Sequence, residues 1–412
     1  MKRFVVFLWA AGSAVRLPAF LLLAAALLSM VPRPAAAGSE QVRPYGEDSP
    51  WNLRIGLNPE YEPLGPHYLE AFRGELGMDP TRYTIPVYEA EQGENREIRI
   101  TGVFSDVTRG GEFLETIRGV TLHVPLGPEA VPAEGRDGQL VVWDPATGEE
   151  WGVWRLMKQF DGQWTARNGY HYNTRWSGVP PVGFLSRGAG VPYLAGLVRP
   201  WEIACGRIEH ALAVGVNDPG MVYVFPATKS DGTSMTGIPE GARLQLDPAL
   251  TEADFDRWGL DRAGKIVARA LQEYGAVVVD VSGHPKLYAE YEGTAKWGGT
   301  IRNDLLEAIP YSAFRVLSLT APHHPDAPGG VAVGREGERA MVTWEPVPHA
   351  TRYRVFRRTP GGALASIGAP VAEPRFMDPE VRPLDRYEYA VRAVNHNGVG
   401  PLSGVVALPA AP

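Results

Sequence analysis

Polar and apolar residues alternate along several short stretches that are separated by turn-forming residues. The alternation is clear in EIRITGVF (97–104), TLHVPL (121–126) and ARLQLD (242–247). A period of two residues is typical of β-strands with one buried face. GQLVVWD (138–144) and AVVVDV (276–281) are instead apolar almost throughout. That pattern indicates strands that are buried on both faces.

Two further strands are predicted at IEHALAVGV (208–216) and MVYVFPAT (221–228), with a turn at residues 217–220. A clear helical period occurs in RAGKIVARALQEYG, and Asp261 precedes it in the position of a cap. Many short strands and few helices predict an all-β protein. We expect residues 38–320 to form one large β-sandwich or jelly-roll domain, the candidate catalytic domain.

A β-hairpin is predicted at residues 139–155, around the turn sequence DPATG. Pro145 suits an early turn position, and Gly148 suits a positive φ. On the second strand, Glu150, Gly152 and Trp154 share one face, whereas Trp151 lies on the other. We therefore expect Glu150 and Trp154 to face the same cavity as His210, and Trp151 to serve as packing.

The N-terminus has the pattern of an export signal. Lys2, Arg3 and Arg16 precede an apolar run at residues 17–31, and Ala35-Ala36-Ala37 follows it. The run is shorter than the roughly 20 residues that a membrane-spanning helix needs. We expect residues 1–37 to be a signal peptide and the mature protein to be secreted, without a membrane partner. An uncleaved anchor is the alternative.

Charge and cysteine content narrow the function further. The 412-residue chain has a formal net charge of −7, which argues against nucleic acid as a partner. Cys205 is the only cysteine, so no disulfide forms within the chain, and we interpret it as a small buried apolar residue.

The stretch from Trp143 to Trp176 combines five tryptophans with nearby acids. Aromatic rings pack on apolar surfaces such as the C–H faces of sugars, and carboxylates serve as acids and bases. The candidate catalytic pair is Glu150 with Asp144 or Asp280. Asp144 is also well suited to capping the turn, and Glu150 to a solvated surface.

Three residues on predicted strands have two interpretations each. His210 shares a face with Ile208 and Leu212, so it is either a hydrogen-bonded core residue or a general base. Arg243 lies on a solvated polar face or clamps a substrate carboxylate with two hydrogen bonds. Asp280, near the end of an apolar strand, is a turn cap or a carboxyl with a raised pKa.

A second aromatic and acidic cluster, YAEYEGTAKW, spans residues 288–297. With Trp154 and Arg243, the aromatic residues Trp143, Tyr288 and Trp297 complete the predicted substrate-binding set. A strand end with a surface loop is the alternative interpretation of this second cluster.

Several familiar motifs are missing. The chain contains no G-x-S-x-G, no H-E-x-x-H and no zinc spacing of Cys and His. GLDRAGKI (259–266) ends in Ile where a P-loop requires Ser or Thr. No cofactor and no catalytic metal are predicted, and a structural calcium is left open. An exported peptidase has the weakest support.

The C-terminal part resembles a fibronectin type III module. The resemblance rests on Trp344 in VTWEPVPHA, Tyr353 in TRYRVFRR, and VRPLDRYEYAVRAVNHNGVGPLSG. It implies an immunoglobulin-like sandwich at residues 329–412 with a tyrosine corner at Tyr387, although Val381 stands where the family usually has Leu. Residues 321–328 are a Pro-rich linker, in which His323 and His324 are expected to be solvated.

The upstream part resembles a group of exported proteins of high-GC bacteria. The shared features are an SPWN start (49–52), the hairpin at 143–150, a GRI-x-HAL strand (206–212) and a GAR-x-QL strand (241–246). The resemblance implies a jelly-roll-like fold and supplies no reaction.

Together, these features lead to two functional expectations. The first is a secreted, monomeric carbohydrate-active enzyme that acts on a polysaccharide. It would be a hydrolase with two carboxylates, or a uronate lyase with His210 or a Tyr as base and Arg243 on the substrate carboxylate. The second is a non-catalytic protein that binds glycans or mediates adhesion at the cell envelope.

Overall fold

The computed structural model describes residues 42–90, 95–102, 108–109, 112–113, 120–180, 186–382 and 385–409. The predicted signal peptide lies outside these residues, and residues 42–412 belong to one compact unit. In the described part of the chain, no helix is both long and apolar enough to cross a bilayer.

Two four-stranded sheets pack face to face in the N-terminal half. The outer sheet contains, in spatial order, β5 (Thr121–Val124), β2 (Arg96–Ile100), β9 (Trp164–Ala166) and β8 (Met157–Lys158). The middle sheet contains β1 (Val87–Glu89), β6 (Leu140–Asp144), β7 (Glu149–Trp154) and β10 (Asn168–Asn173). Ile98 and Ile100 of the outer sheet share a core with Leu140 and Val142 of the middle sheet. A separate two-stranded ribbon consists of β3 (Thr108–Arg109) and β4 (Glu112–Phe113).

A third sheet, the inner sheet, covers the other face of the middle sheet. Its strands are β14 (Lys286–Leu287), β11 (Leu212–Val216), β13 (Ala276–Val281), β12 (Arg243–Leu246) and β15 (Phe314–Val316). Val141 and Trp143 of β6 pack in one core with Val277 and Val279 of β13. Both strands are therefore buried on two faces, as their apolar runs predict.

Helices cover the outer face of the inner sheet and the loops around it. They are α1 (Gly65–Glu70), α2 (Pro200–Cys205), α3 (Glu252–Arg257), α4 (Arg262–Glu273), α5 (Glu292–Ala295) and a 3₁₀ turn (Tyr311–Ala313). Helix α4 begins as predicted, because the Asp261 side chain accepts a 2.9 Å hydrogen bond from the Gly264 amide. Its apolar face packs with Ala276 and Val278 of β13.

The hairpin at residues 139–155 is confirmed. Strands β6 and β7 pair in antiparallel register, with Trp143 opposite Glu150. Gly148 has a φ of +84°, as its place in the turn requires.

The predicted strand at 221–228 is wrong. This segment is a loop joined to residues 234–240 by single bridges, Gly220 to Ser234 and Tyr223 to Glu240. Pro226 has no amide hydrogen to donate to a neighbouring strand, which opposes a regular ladder. The preceding strand is also shorter than predicted, since β11 begins at Leu212.

A second sandwich occupies the C-terminal part. One sheet contains β16 (Ala332–Glu336), β17 (Arg339–Thr343) and β20 (Arg375–Asp378). The other contains β19 (Ala365–Val371), β18 (Arg352–Arg358), β21 (Glu388–Val394), β22 (Val399–Leu402) and β23 (Val406–Ala407), the last paired with β21.

The core of this C-terminal sandwich has the expected aromatic residues. The rings of Trp344 and Tyr353 meet edge to face at 5.1 Å. The Tyr387 hydroxyl accepts a hydrogen bond from the upstream Arg382 amide at 3.4 Å, which is the geometry of a tyrosine corner. Pro383, part of the predicted corner, lies outside the described residues.

The all-β sandwich prediction is confirmed for the chain. The jelly-roll resemblance of the upstream part is not shown by the strand order. Three pairs in it are parallel, β1 with β6, β2 with β9 and β11 with β13, whereas a jelly roll is antiparallel.

Candidate functional site

Glu150, the first predicted catalytic residue, is buried in the core between the middle and inner sheets. Its carboxyl accepts hydrogen bonds from the hydroxyls of Tyr170 (2.6 Å) and Tyr45 (3.1 Å) and from the Leu194 amide (3.3 Å). Burial raises the pKa of Glu150 to about 7, against the lowering effect of these hydrogen bonds. With no exposed surface, the carboxyl does not reach a substrate.

His210 is likewise enclosed. Its Nε2 lies 2.8 Å from Glu202 Oε1, and its Nδ1 donates to the Ala211 carbonyl at 2.9 Å. Burial lowers the pKa of His210, but the Glu202 carboxylate and the Ala211 carbonyl outweigh it, so the net shift is upward. Both ring nitrogens have partners within the protein, so His210 is the hydrogen-bonded core residue and not an accessible general base. The prediction that Glu150, Trp154 and His210 line one open cavity is therefore wrong.

Asp144 and Arg243 have structural positions. The Asp144 carboxylate accepts hydrogen bonds from the amides of Ala146 (2.9 Å) and Thr147 (3.3 Å), so it caps the hairpin turn. Arg243 is 3% exposed and donates to the carbonyls of Pro50 (2.7 Å) and Leu53 (3.4 Å). It anchors the N-terminal segment on the inner sheet. The predicted solvated face is wrong, because the opposite side of β12 from its apolar core is covered as well.

Most of the predicted aromatic platform is in the core. Trp143, Tyr288 and Trp297 are exposed by 1%, 4% and 6%. The indole of Trp143 donates to Thr174 Oγ1, and that of Trp297 donates to the Glu290 carbonyl. These three rings offer no open face to a saccharide, because neighbouring layers cover them.

Trp154 differs, since it is half-buried and its indole Nε1 donates to Asp137 Oδ1 at 3.3 Å. The guanidinium of Arg155 lies over its ring at 4.4 Å. Trp151, on the opposite face, stacks on His171 with ring centroids 4.8 Å apart. Trp154 therefore contacts Asp137 and not Glu150, its predicted neighbour, and Asp137 belongs to a separate group of acids.

That group, which we call the acid cluster, consists of Asp137, Asp231, Glu240 and Asp280. Asp280 is the second-last residue of β13, and Glu240 precedes β12. The charges of Asp231 and Asp137 act on Asp280, and those of Asp231 and Asp280 act on Glu240. Three segments distant in sequence therefore supply the acids, with Asp231 and Glu240 both lying between β11 and β12. Asp280 is the predicted site residue among them.

The carboxyls of the acid cluster do not all ionise together near neutral pH. Burial, reinforced by the negative charge of Asp231, raises the pKa of Asp280 to about 7. Glu240 is fully buried, and burial together with Asp231 and Asp280 raises its pKa further still. While ionised, neither oxygen of Glu240 has a hydrogen-bond donor among the described residues. The raised pKa favours the protonated form of Glu240, and the neighbouring Asp231 carboxyl is an acceptor for that proton.

Two buried cations, Arg187 and Lys286, partly offset the negative charge of the acid cluster. Arg187 is 1% exposed, and its Nη1 donates to the carbonyls of Ala195 (2.8 Å) and Pro192 (3.3 Å). Its guanidinium lies over the ring of Tyr288 at 4.7 Å. Its Nε and Nη2 have no hydrogen-bond partner among the described residues. The positive charge of Arg187 lowers the pKa of Asp280 and so limits the upward shift.

A second cation, Lys286, is 5% exposed and donates to the Tyr83 carbonyl at 2.7 Å. Burial lowers the pKa of Lys286 to about 8, although the charges of Asp79, Asp280 and Asp137 oppose that shift. Several shifted groups in one place are typical of functional sites.

Two glycines permit the close approach of the acids. A Cβ atom on Gly188 would lie 2.6 Å from Asp231 Oδ1 and 2.9 Å from Glu240 Oε1. Gly241, directly after Glu240, has a φ of +90°, and a Cβ there would lie 1.7 Å from the Val224 carbonyl oxygen. Glycine is therefore required at 241, by the backbone contact and by the positive φ, whereas at 188 a side chain would displace the carboxyls of Asp231 and Glu240.

Sequence reasoning missed Asp137, Arg187, Asp231 and Glu240. Asp137, Arg187 and Asp231 lie in loops, where no hydrophobic period marks a residue. Asp231 also follows the segment at 221–228, for which a strand was wrongly predicted. A usable signal was present, because Asp231 and Glu240 each precede a glycine in a segment between buried strands. Functional residues often occupy such loops on a rigid scaffold.

Within the described residues, no group of three or more His, Cys, Asp or Glu side chains is arranged to hold a metal ion.

Comparisons with known proteins identify similar structures for a limited part of the chain. No protein-family model matches it, and no curated protein matches it either. A Fn3-like protein from Clostridium thermocellum is 26% identical, with a TM-score of 0.20, over 21% of this chain and 95% of that one. The third fibronectin III domain of a human protein is 24% identical, with a TM-score of 0.20, over 23% of this chain and 89% of that one. Both of these solved structures are fibronectin type III or Fn3-like by name, and each matches about a fifth of the chain.

Proposed function

We propose that this chain is an exported carbohydrate-active enzyme, a polysaccharide hydrolase that uses the acid cluster for acid–base chemistry. The observation that carries the proposal is the convergence of Asp231, Glu240 and Asp280 beside the buried Arg187. Hydrolysis of a glycosidic bond requires one carboxyl that is protonated and one that is ionised. A cluster in which burial and mutual repulsion separate the pKa values of neighbouring carboxyls meets that requirement.

The roles follow from exposure and charge. Glu240 carries the proton, and the exposed Asp231 beside it passes that proton to the glycosidic oxygen as the C–O bond breaks. Asp280, which titrates near pH 7, accepts a proton from the attacking water, whose oxygen forms the new bond to the sugar carbon. The products are two saccharides, one with a new reducing end. Asp280 then releases its proton to solvent, and solvent returns one to Glu240. The positive charge of Arg187 favours the ionised form of Asp280.

A uronate lyase is the other enzymatic form of the proposal. It would need a base for the C5 proton, and both predicted kinds of base have poor support. His210 has no open ring nitrogen, and burial raises the pKa of Tyr288 well above its usual value. Arg243, the predicted partner of a substrate carboxylate, is committed to backbone carbonyls. Hydrolysis is therefore favoured.

The alternative is a non-catalytic glycan-binding or adhesion protein. That function relies on exposed aromatic rings, and three of the four predicted ones are buried. It also offers no reason for acids with shifted pKa values to converge. The predicted signal peptide and the C-terminal fibronectin-like sandwich support an extracellular location for either function.

The test is incubation of the chain without residues 1–37 with a panel of soluble polysaccharides. Reducing ends report hydrolysis, and ultraviolet absorbance of unsaturated uronates reports elimination. On a polymer that is cleaved, Asp280→Asn and Asp231→Asn should each lower kcat by about 100-fold or more, the usual contribution of a general acid or base. Asp256→Asn, at an exposed carboxylate of α3, is the matched control and should leave kcat unchanged.

Two outcomes would contradict the proposal. Full activity of Asp280→Asn on a cleaved polymer would remove the acid cluster from the reaction. Binding without either product signal on every polymer would favour the glycan-binding alternative.

A further inference from the structure

A groove of about 750 Å³ separates the upstream domain from the C-terminal sandwich. One side is formed by the loop at residues 223–228 together with Asp48 and Ser177, and the other by His323, His324 and the turn at residues 397–399. We call it the interdomain groove. Its volume is within the range of known ligand sites, roughly 300 to 1,000 Å³.

The second side of the interdomain groove, made of the linker and the turn at residues 397–399, is held together by direct contacts. Asn395 and Asn397 donate side-chain hydrogen bonds to the Pro322 carbonyl at 3.0 and 3.2 Å. A Cβ on Gly398 would lie 2.5 Å from the His323 carbonyl oxygen, so the turn rests directly on the linker. Arg354 of the C-terminal sandwich forms an ion pair with Asp48, and this contact joins the two sides of the groove. The predicted linker is thus packed between the domains, and the groove exists before any ligand binds, which lowers the entropic cost of binding.

The lining combines aromatic faces with polar groups. The rings of Phe225 and His323 stack with centroids 4.3 Å apart, one from each side of the groove. Tyr223 is 52% exposed at the edge. Asp48, Ser177 and Asn397 supply a carboxylate, a hydroxyl and an amide. Phe225 and His323 cover one face of each other, the Asp48 carboxylate pairs with Arg354, and the Asn397 amide nitrogen donates to the linker. The exposed Tyr223 and His323 rings remain to cover C–H faces, and the second oxygen of Asp48 remains to accept from hydroxyls, which suits a saccharide better than an apolar ligand.

The wall of the interdomain groove is also the support of the acid cluster. The Thr228 amide donates to the Ala189 carbonyl at 2.9 Å, and Ala189 follows the glycine that touches Asp231 and Glu240. The Val224 amide donates to the Glu240 carbonyl at 2.8 Å. A polymer lying in the groove therefore passes along the loop whose other side holds the carboxyls.

We propose that the interdomain groove binds a chain of saccharide units and that the C-terminal sandwich forms part of this binding surface. The inference rests on the proposed function, because it assigns the polymer its path toward the acid cluster. The C-terminal sandwich is then a wall of the substrate site and not a spacer.

The test measures binding separately from turnover. Electrophoretic retardation of the chain from residue 38 is measured in gels that contain xylan, pullulan or polygalacturonate, with Asp280→Asn as the background to prevent cleavage. Tyr223→Ala and His323→Ala each remove one ring, and His324→Trp narrows the groove from an exposed position. We expect each to weaken retardation at least fivefold. Phe160→Ala, at a fully exposed ring away from the groove, is the control and should have no effect.

Kinetics separate this inference from the proposed function. On a polymer that is cleaved, the three groove variants should raise KM and leave kcat unchanged. If the wild-type chain binds a polymer through the groove but cleaves none, the binding inference stands and the proposed hydrolysis fails. Unchanged retardation in all three groove variants, or no retardation of the parent chain by any of the three polymers, would overturn the inference.

Discussion

The hydroxyl of Tyr170 donates a 2.6 Å hydrogen bond to Oε1 of Glu150 in a part of the core that water does not reach. The same hydroxyl accepts a hydrogen bond from the Tyr193 amide at 2.7 Å. The pair joins the middle sheet to the segment before α2. Glu150 is therefore a buried acid that affects stability, whereas the residues proposed for catalysis lie elsewhere.

Replacing Glu150 should change how stability depends on pH. The pKa of Glu150 is about 7 in the folded chain and about 4.5 in the unfolded one, so the folded state favours the protonated form. Stability from this group is fully present below pH 4.5 and is lost as pH rises through 7. A shift of this size corresponds to about 3 kcal/mol. Glu150→Gln keeps an acceptor for Tyr170 and should be more stable than wild type at pH 8, but not at pH 4.

Thermal unfolding at several pH values between 4 and 8 measures this effect. Glu149→Gln, at the neighbouring partly exposed carboxylate, serves as the control. If Glu150→Gln and wild type lose the same stability between pH 4.5 and 8, then Glu150 does not titrate in this range.

The rate of the proposed reaction should rise through about pH 7. Asp280 must be ionised to accept a proton, and the acid cluster holds its pKa near 7. The pKa that the pH–rate profile reports belongs to the coupled carboxyls as a group. The residual rate of the Asp280→Asn variant should not increase as the pH passes through 7. A rise of unchanged midpoint in the variant would assign the titration to a different group.

Gly188→Ala should disturb the acid cluster more than it disturbs the fold. The added Cβ would lie 2.6 Å from Asp231 Oδ1, so the side chain of Asp231 has to move. We expect kcat to fall at least tenfold, because misplacement of reacting groups by an ångström is costly. Gly283→Ala is the matched control, since a Cβ there meets nothing within 4 Å. Equal kcat for the two variants would contradict the proposed role of Asp231.

Arg243→Met should destabilise the chain without a specific effect on turnover. It leaves the Pro50 carbonyl without its 2.7 Å donor, and buried acceptors without partners are costly. We expect the free energy of unfolding to fall by roughly 2 to 3 kcal/mol. Arg315→Met removes a more exposed ion pair to Asp247 and should cost less than about 1 kcal/mol. Denaturant titration of both variants tests this, and equal losses would mean that Arg243 is no anchor.

The sequence by itself determined the local elements of this protein. The hairpin turn at Asp144–Gly148, the cap of α4 at Asp261 and the two doubly buried strands were all predictable, because neighbouring residues decide them. The tyrosine corner at Tyr387 belongs to the same class, since its partner lies five residues upstream.

Only the tertiary structure decided which acids meet and which are enclosed. Alternation along β7 shows that Glu150 and Trp151 occupy different faces, but it does not show that the inner sheet covers the Glu150 face. The acid cluster draws Asp137, the pair Asp231 and Glu240, and Asp280 from three separate segments. Long-range packing of three sheets brings these segments together, and no local sequence pattern shows which of the acids will be neighbours.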